Sequence, residues 1–124
     1  MRLLSLLICL STLGFASTWS GFLVNSRCYA SVQNNVSADT TTVSRDMSLG
    51  LRQCSATPKT KRFSIVLRDW SVLKLDTAGN ESAAVIVRRN PKRSALYCVT
   101  VAGVRHKNTI VAGPVVLASI RTQR

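Results

Sequence analysis

One histidine, four cysteines and five carboxylates are all that this chain of 124 residues offers for acid–base, nucleophilic or metal chemistry. His106 stands between Arg105 and Lys107 in a polar stretch that reads as a solvent-exposed turn. A hydrolytic site needs a nucleophile, a base and an orienting group brought together, and the chain has no Gly-x-Ser-x-Gly elbow. Asp39, Asp46, Asp69, Asp76 and Glu81 are scattered, and the last two flank a helix start, where negative charge is favoured. A single histidine beside disulfide-forming cysteines leaves no metal cluster. "TAGN" at 77–80 has one glycine and reads as a helix start, not as a phosphate-cradling loop. These residues predict a protein that is not an enzyme, with no catalytic residue, no bound metal and no cofactor.

The cysteines pose a pairing problem. Cys9 lies inside "MRLLSLLICLSTLGFA", which has the parts of a secretory signal: Arg2, an apolar stretch from Leu3 to Leu13, and small residues at Gly14 and Ala16. Cleavage after Ala16 removes Cys9 and leaves Cys28, Cys54 and Cys98. An odd number allows one disulfide plus one thiol, or a bridge between chains. Three pairings exist within the chain, and spacing alone does not choose among them. A redox-active pair would sit close in sequence as Cys-x-x-Cys, which is absent. The expectation is a signal peptide at 1–16, a single domain at 17–124, and an exported, periplasmic or secreted location that permits disulfides. No later stretch reaches membrane-spanning length.

Binding chemistry is better supplied. Lysine and arginine number 17 against 5 acids, a net charge of +12. Such a field favours anionic partners, and it also keeps a small protein soluble. Arg62, Arg68 and Lys74 fall on the outward face of one hairpin, Lys59 and Lys61 lead into it, and Trp70 sits at its tip. Charge beside an exposed aromatic suits oligosaccharide or oligonucleotide binding. A single aromatic and an exported location argue against nucleic acid. Arg88, Arg89, Lys92 and Arg93 follow the preference of cations for a helix end. Asn35-Val36-Ser37 and Asn80-Glu81-Ser82 fit the glycosylation sequon, but read as turn and cap residues.

The elements that must position these residues follow from periodicity. Residues 19–24 read as a strand with apolar groups on both faces. Residues 25–60 are rich in Ser, Thr, Asn and Asp, with little periodicity, and read as a long loop needing a constraint. "KRFSIVLR" at 61–68 alternates, with Phe63, Ile65 and Leu67 on one face and Val66 as the exception on the other. A turn at 69–71 and a strand at 72–75 complete a hairpin. "LDTAGNESAAVIVRRNP" reads as a helix capped by Thr77 or Asn80, with Arg88 and Arg89 in its last turn and Asn90-Pro91 ending it. Residues 95–104 form a strand, 105–108 a turn, and 109–119 a final strand broken at Gly113-Pro114.

Three strands, a helix and two strands are the element order of an OB-fold barrel. The expected class is thus mainly β with one helix: a small OB-like five-stranded barrel, the helix between strands 3 and 4. "WSGFLVNSRCYAS" at 19–31, "NNVS" at 34–37, "LGLRQC" at 49–54, "TKRFSIV" at 60–66, "KLDTAGN" at 74–80 and "VTVAGVRHKNTIV" at 99–111 carry a family likeness. The chain resembles a domain-of-unknown-function group of small exported bacterial proteins common in soil acidobacteria. The resemblance implies a compact β-rich domain and transfers no activity. It also implies a Cys28–Cys54 bridge, because both match cysteine positions of the group, whereas Cys98 stands where an aliphatic residue is usual. Alternation agrees, placing Cys98 mid-strand while Cys28 and Cys54 bracket the loop. Members of the group often carry an acid where Asn25 stands.

The functional expectation is a non-enzymatic binding module for an anionic envelope or extracellular ligand, with Arg62, Arg68, Trp70 and Lys74 as the ligand-binding set. The alternative is a structural or stress-related periplasmic protein whose charge serves only solubility or attachment.

Overall fold

The computed structural model describes residues 17–35, 43–91, 95–111 and 113–122. The expected signal segment at 1–16, most of the first sequon, Lys92 and Arg93 lie outside them. The elements run β1 (Ser17–Asn25), α1 (Ser26–Asn35), α2 (Val43–Gln53), β2 (Phe63–Val66), β3 (Val72–Leu75), α3 (Thr77–Arg89), β4 (Ala95–His106), β5 (Thr109–Val111) and β6 (Val115–Thr122).

Hydrogen bonding follows the order β1-β2-β3-β5-β4, and β4 returns to β1 to close a five-stranded barrel. All pairs are antiparallel except β3 with β5. β1 closes the barrel by changing partner along its length. Residues 17–22 pair with β4 and residues 22–25 with β2. The order and the helix between β3 and β4 are those of the OB-like barrel read from the sequence.

β6 continues β5 along the same edge of β4. Its register is offset by one residue across the break, and it shifts again at Cys98/Val99. The break falls at Gly113-Pro114, as the sequence indicates. Gly113 passes so close to β4 that a Cβ there would lie 0.9 Å from the Ala102 carbonyl oxygen. The ladder resumes at once, because Ala102 N–H donates to the Pro114 carbonyl at 3.2 Å.

Alternation fills the barrel. Leu23, Ile65 and Leu73 form one registered row across β1–β2–β3 and are fully buried. Phe63, Tyr97, Val99, Val101 and Ile110 join them in the main core, with Ala83 and Val87 of α3. The α3 cap is Asp76, whose Oδ1 accepts the Gly79 N–H at 2.9 Å, and not Thr77 or Asn80. Asn80 has a different task. Its Oδ1 accepts the Phe63 N–H at 2.8 Å, tying α3 to the start of β2.

The main correction concerns residues 25–60. The expected loop carries two helices, so the described residues hold three helices, not one. Asn25 caps α1 by accepting the Cys28 N–H at 3.1 Å. An aspartate at position 25 would cap equally well. Cys28, Tyr29 and Val32 recur at helical spacing in α1, and Gly50, Leu51 and Cys54 repeat that spacing at the end of α2. The helices meet where Gly50 lies against Val32; a Cβ on Gly50 would be 2.4 Å from a Val32 methyl. The Cys28–Cys54 disulfide joins them, with Cα atoms 5.5 Å apart.

This helical pair covers the outside of the barrel. The outward row Phe22–Val66–Val72 is apolar, and together with Val24, Tyr29, Leu51, Cys54, Leu96 and Trp70 it forms a second core. The apolar residues on both faces of β1, and the exceptional Val66, follow from there being two cores. Tyr29 lies fully within this layer, and burial raises its phenol pKa.

Candidate anion-binding cleft

The next outward row, Val24–Ser64–Lys74, grades from buried to exposed. Val24 lies under the helices. Ser64 is buried, and its hydroxyl donates to Ser26 Oγ at 2.8 Å. Lys74 emerges into solvent, where the helical layer ends. There the chain builds a cleft of about 700 Å³ lined by Arg27, Lys59, Lys61, Arg62 and Lys74, with Asn25, Ser26 and Ala30 at the start of α1. Five cations line it, and no acid among the described residues does.

Local structure holds these cations outward. Thr57-Pro58-Lys59-Thr60 is a turn closed by Thr60 N–H to the Thr57 carbonyl at 2.9 Å. Thr60 is buried, and its hydroxyl accepts the Thr57 N–H at 3.0 Å. With Thr60 and Phe63 pointing in, Lys59, Lys61 and Arg62 stand exposed. The segment is pinned to α1, since Ser26 N–H donates to the Arg62 carbonyl at 3.0 Å. The start of α1 adds a partial positive charge to the cleft. Two of its N–H groups are engaged with Arg62 and Asn25, so the helix contributes field more than donors.

A second depression of about 620 Å³ lies beyond Lys59–Arg62, where Arg88 of α3 joins the same cations and Glu81 is the one acidic lining residue. The basic segment is therefore a ridge flanked by two clefts.

The expected ligand set does not form one surface. Arg62 and Lys74 line the cationic cleft. Arg68 and Trp70 lie at the other end of the hairpin, in a groove that shares no lining residue with it. Alternation does bring Arg62, Ser64, Val66 and Arg68 to one side, but α1 and α2 cover the middle of that side. Trp70 is half-buried against the second core and does not project as a free tip. Arg27 was missed, because the segment that holds it reads as loop; its place one turn before Ala30, behind a good cap residue, was the available signal.

The turn at Trp70 is unusual. Trp70 N–H donates to the Leu67 carbonyl at 3.0 Å and Leu67 N–H to the Ser71 carbonyl at 2.9 Å. That is a three-residue hairpin loop whose last position turns left-handed and favours glycine. Here it holds Trp70 at φ 69°. Asp69 braces the loop, accepting from Ser71 Oγ at 2.5 Å and Ser71 N–H at 3.0 Å. These donors hold its carboxyl below the usual carboxylate range.

His106 is exposed at the end of β4, beside the Lys107-Asn108 turn. Cys98 is a half-buried free thiol in mid-β4. Among the described residues, no group of three His, Cys, Asp or Glu side chains converges as a metal site. No helix among them is long and apolar enough to cross a membrane. No family model matches the chain, and no match is found among curated proteins or solved structures.

Proposed function

We propose that this protein is a non-enzymatic, exported binding module that holds a linear anionic polymer of the envelope or extracellular surroundings. The observation that carries the reading is the cleft of Arg27, Lys59, Lys61, Arg62 and Lys74, with no acid among its described lining residues. Like charges repel when crowded, so gathering five of them on braced backbone raises the local potential and favours an anion in the cleft. The second cleft across the Lys59–Arg62 ridge suits an extended chain better than a single ion. The disulfide suits an oxidising compartment.

The test is retention of the oxidised protein on immobilised heparin and on inorganic polyphosphate over a salt series. Each polymer charge neutralised by a protein cation releases counterions. Lys61, Arg62 and Lys74→Gln together are expected to lower the log–log salt slope by about 2, at roughly 0.7 per contact. The matched control replaces Arg89, Arg105 and Lys107, exposed residues that line neither cleft, with Gln and is expected to change the slope by less than half as much. Equal losses in the two triple variants would show that only total charge matters, and would favour the solubility or attachment role.

A further inference from the structure

The groove at the far end of the hairpin has a different chemistry. It measures about 530 Å³, within the size range of small-molecule sites, roughly 300–1,000 Å³. Phe22 and Trp70 supply two half-buried aromatic rings, Leu51 an aliphatic wall, and Cys98 a thiol. Arg68 and Arg121 stand exposed at its margin, and no acid among the described residues lines it. The Arg121 guanidinium lies over the Phe22 ring, 5.5 Å from its centroid, which orients a cation above an apolar floor.

The backbone at Trp70 is a separate observation. A bulky residue in the left-handed region is strained and persists only where its surroundings hold it there. Glycine would relieve the strain and leave the groove without its wall. Packing of Trp70 against the second core keeps the ring in place instead.

We propose that this groove binds a small aromatic anion: a flat apolar ring system against Phe22, Trp70 and Leu51, with a carboxylate or phosphate held by Arg68 and Arg121. The site stands apart from the cationic cleft and does not depend on the polymer reading. An anion alone forgoes the apolar walls, and a neutral ring leaves two cations unanswered, so the two parts of the ligand act together. Cys98 sits where such a ligand covers it, and this gives a reporter that strain or general charge would not move.

The experiment uses the oxidised protein with Trp19→Phe, which leaves Trp70 as the only tryptophan. It is titrated with 2-naphthoate and phenyl phosphate, and in parallel with inorganic phosphate and 2-naphthalenemethanol. The expected result is saturable change in Trp70 fluorescence with the two aromatic anions, at least tenfold weaker binding of the alcohol and of phosphate, and slowed alkylation of Cys98 by iodoacetamide. Arg68→Gln and Arg121→Gln, both on exposed residues, are each expected to weaken binding about tenfold. The cleft variant Lys61/Arg62/Lys74→Gln is expected to leave it within twofold. Equal binding of the neutral ring, absence of saturation, or indifference to both arginine substitutions would overturn the proposal. So would loss of binding in the cleft variant alone.

Discussion

Reducing the Cys28–Cys54 disulfide isolates the crosslink without changing a residue. The bridge joins positions 26 apart. The chain entropy that a closed loop of this length removes from the unfolded state corresponds to about 3.5 kcal/mol at room temperature. That shifts the folding equilibrium about 300-fold. It is a large share of the roughly 5–15 kcal/mol typical of a domain. In urea, with an m-value of roughly 1.5 kcal/mol/M, the midpoint should fall by about 2 M on reduction. The structure also states where the loss begins. The bridge ties α1 to α2, and they form an outer layer over a barrel closed by its own ladder. Hydrogen exchange followed by mass spectrometry should therefore quicken first in 26–35 and 43–53, while β1 and β4 stay protected. A midpoint shift below about 0.5 M would refute the entropic argument. Faster exchange in β1 and β4 with α1 and α2 unchanged would refute the layered one.

Two further outcomes follow from the geometry. Gly113→Ala should abolish or severely weaken folding, because its Cβ would overlap the Ala102 carbonyl; Ser119→Ala, at an exposed position of β6, is the control, and circular-dichroism melting reads both. Asp69 is ionised more readily folded than unfolded, so its stabilising contribution is present above the ordinary value of 3.8 and is lost as pH falls below it. Ser71→Ala should move the Asp69 titration, followed by NMR, back up toward that value, and an unmoved titration would show that the Ser71 hydroxyl is not its cause.

Much of the barrel was legible because strands announce themselves locally. Phe63, Ile65 and Leu67 alternate with Arg62, Ser64 and Arg68, and the helix between strands 3 and 4 carries an acid at its start and arginines at its end. The helical layer was not legible from bulk polarity. Residues 25–60 spend Ser, Thr and Asn on caps and turns, and these polar residues surround the packing residues described, Cys28, Tyr29 and Val32 of α1 and Gly50, Leu51 and Cys54 at the end of α2. Such short helices draw their stability from what they pack against, which composition does not display. Two clues were nonetheless present: apolar residues on both faces of β1, and Val66 on a face expected to be polar. Both pointed to a second core.

The site was half legible for the same reason. Residue types marked Arg62, Arg68, Trp70 and Lys74 as binding candidates, and alternation placed the three cations on one side of a hairpin. Only the tertiary structure could divide them. It lays α1 and α2 over the middle of that side, sends Arg62 and Lys74 to meet Arg27, and sends Arg68 and Trp70 to meet Phe22 and Arg121. The sequence by itself determined the strand pattern, because alternation depends on neighbours in the chain, and the positive charge, because that depends on composition alone. The tertiary structure decided which cations share a cleft and which aromatic rings share a groove, because residues as far apart as Phe22 and Arg121 come together only when β1 closes the barrel against β4.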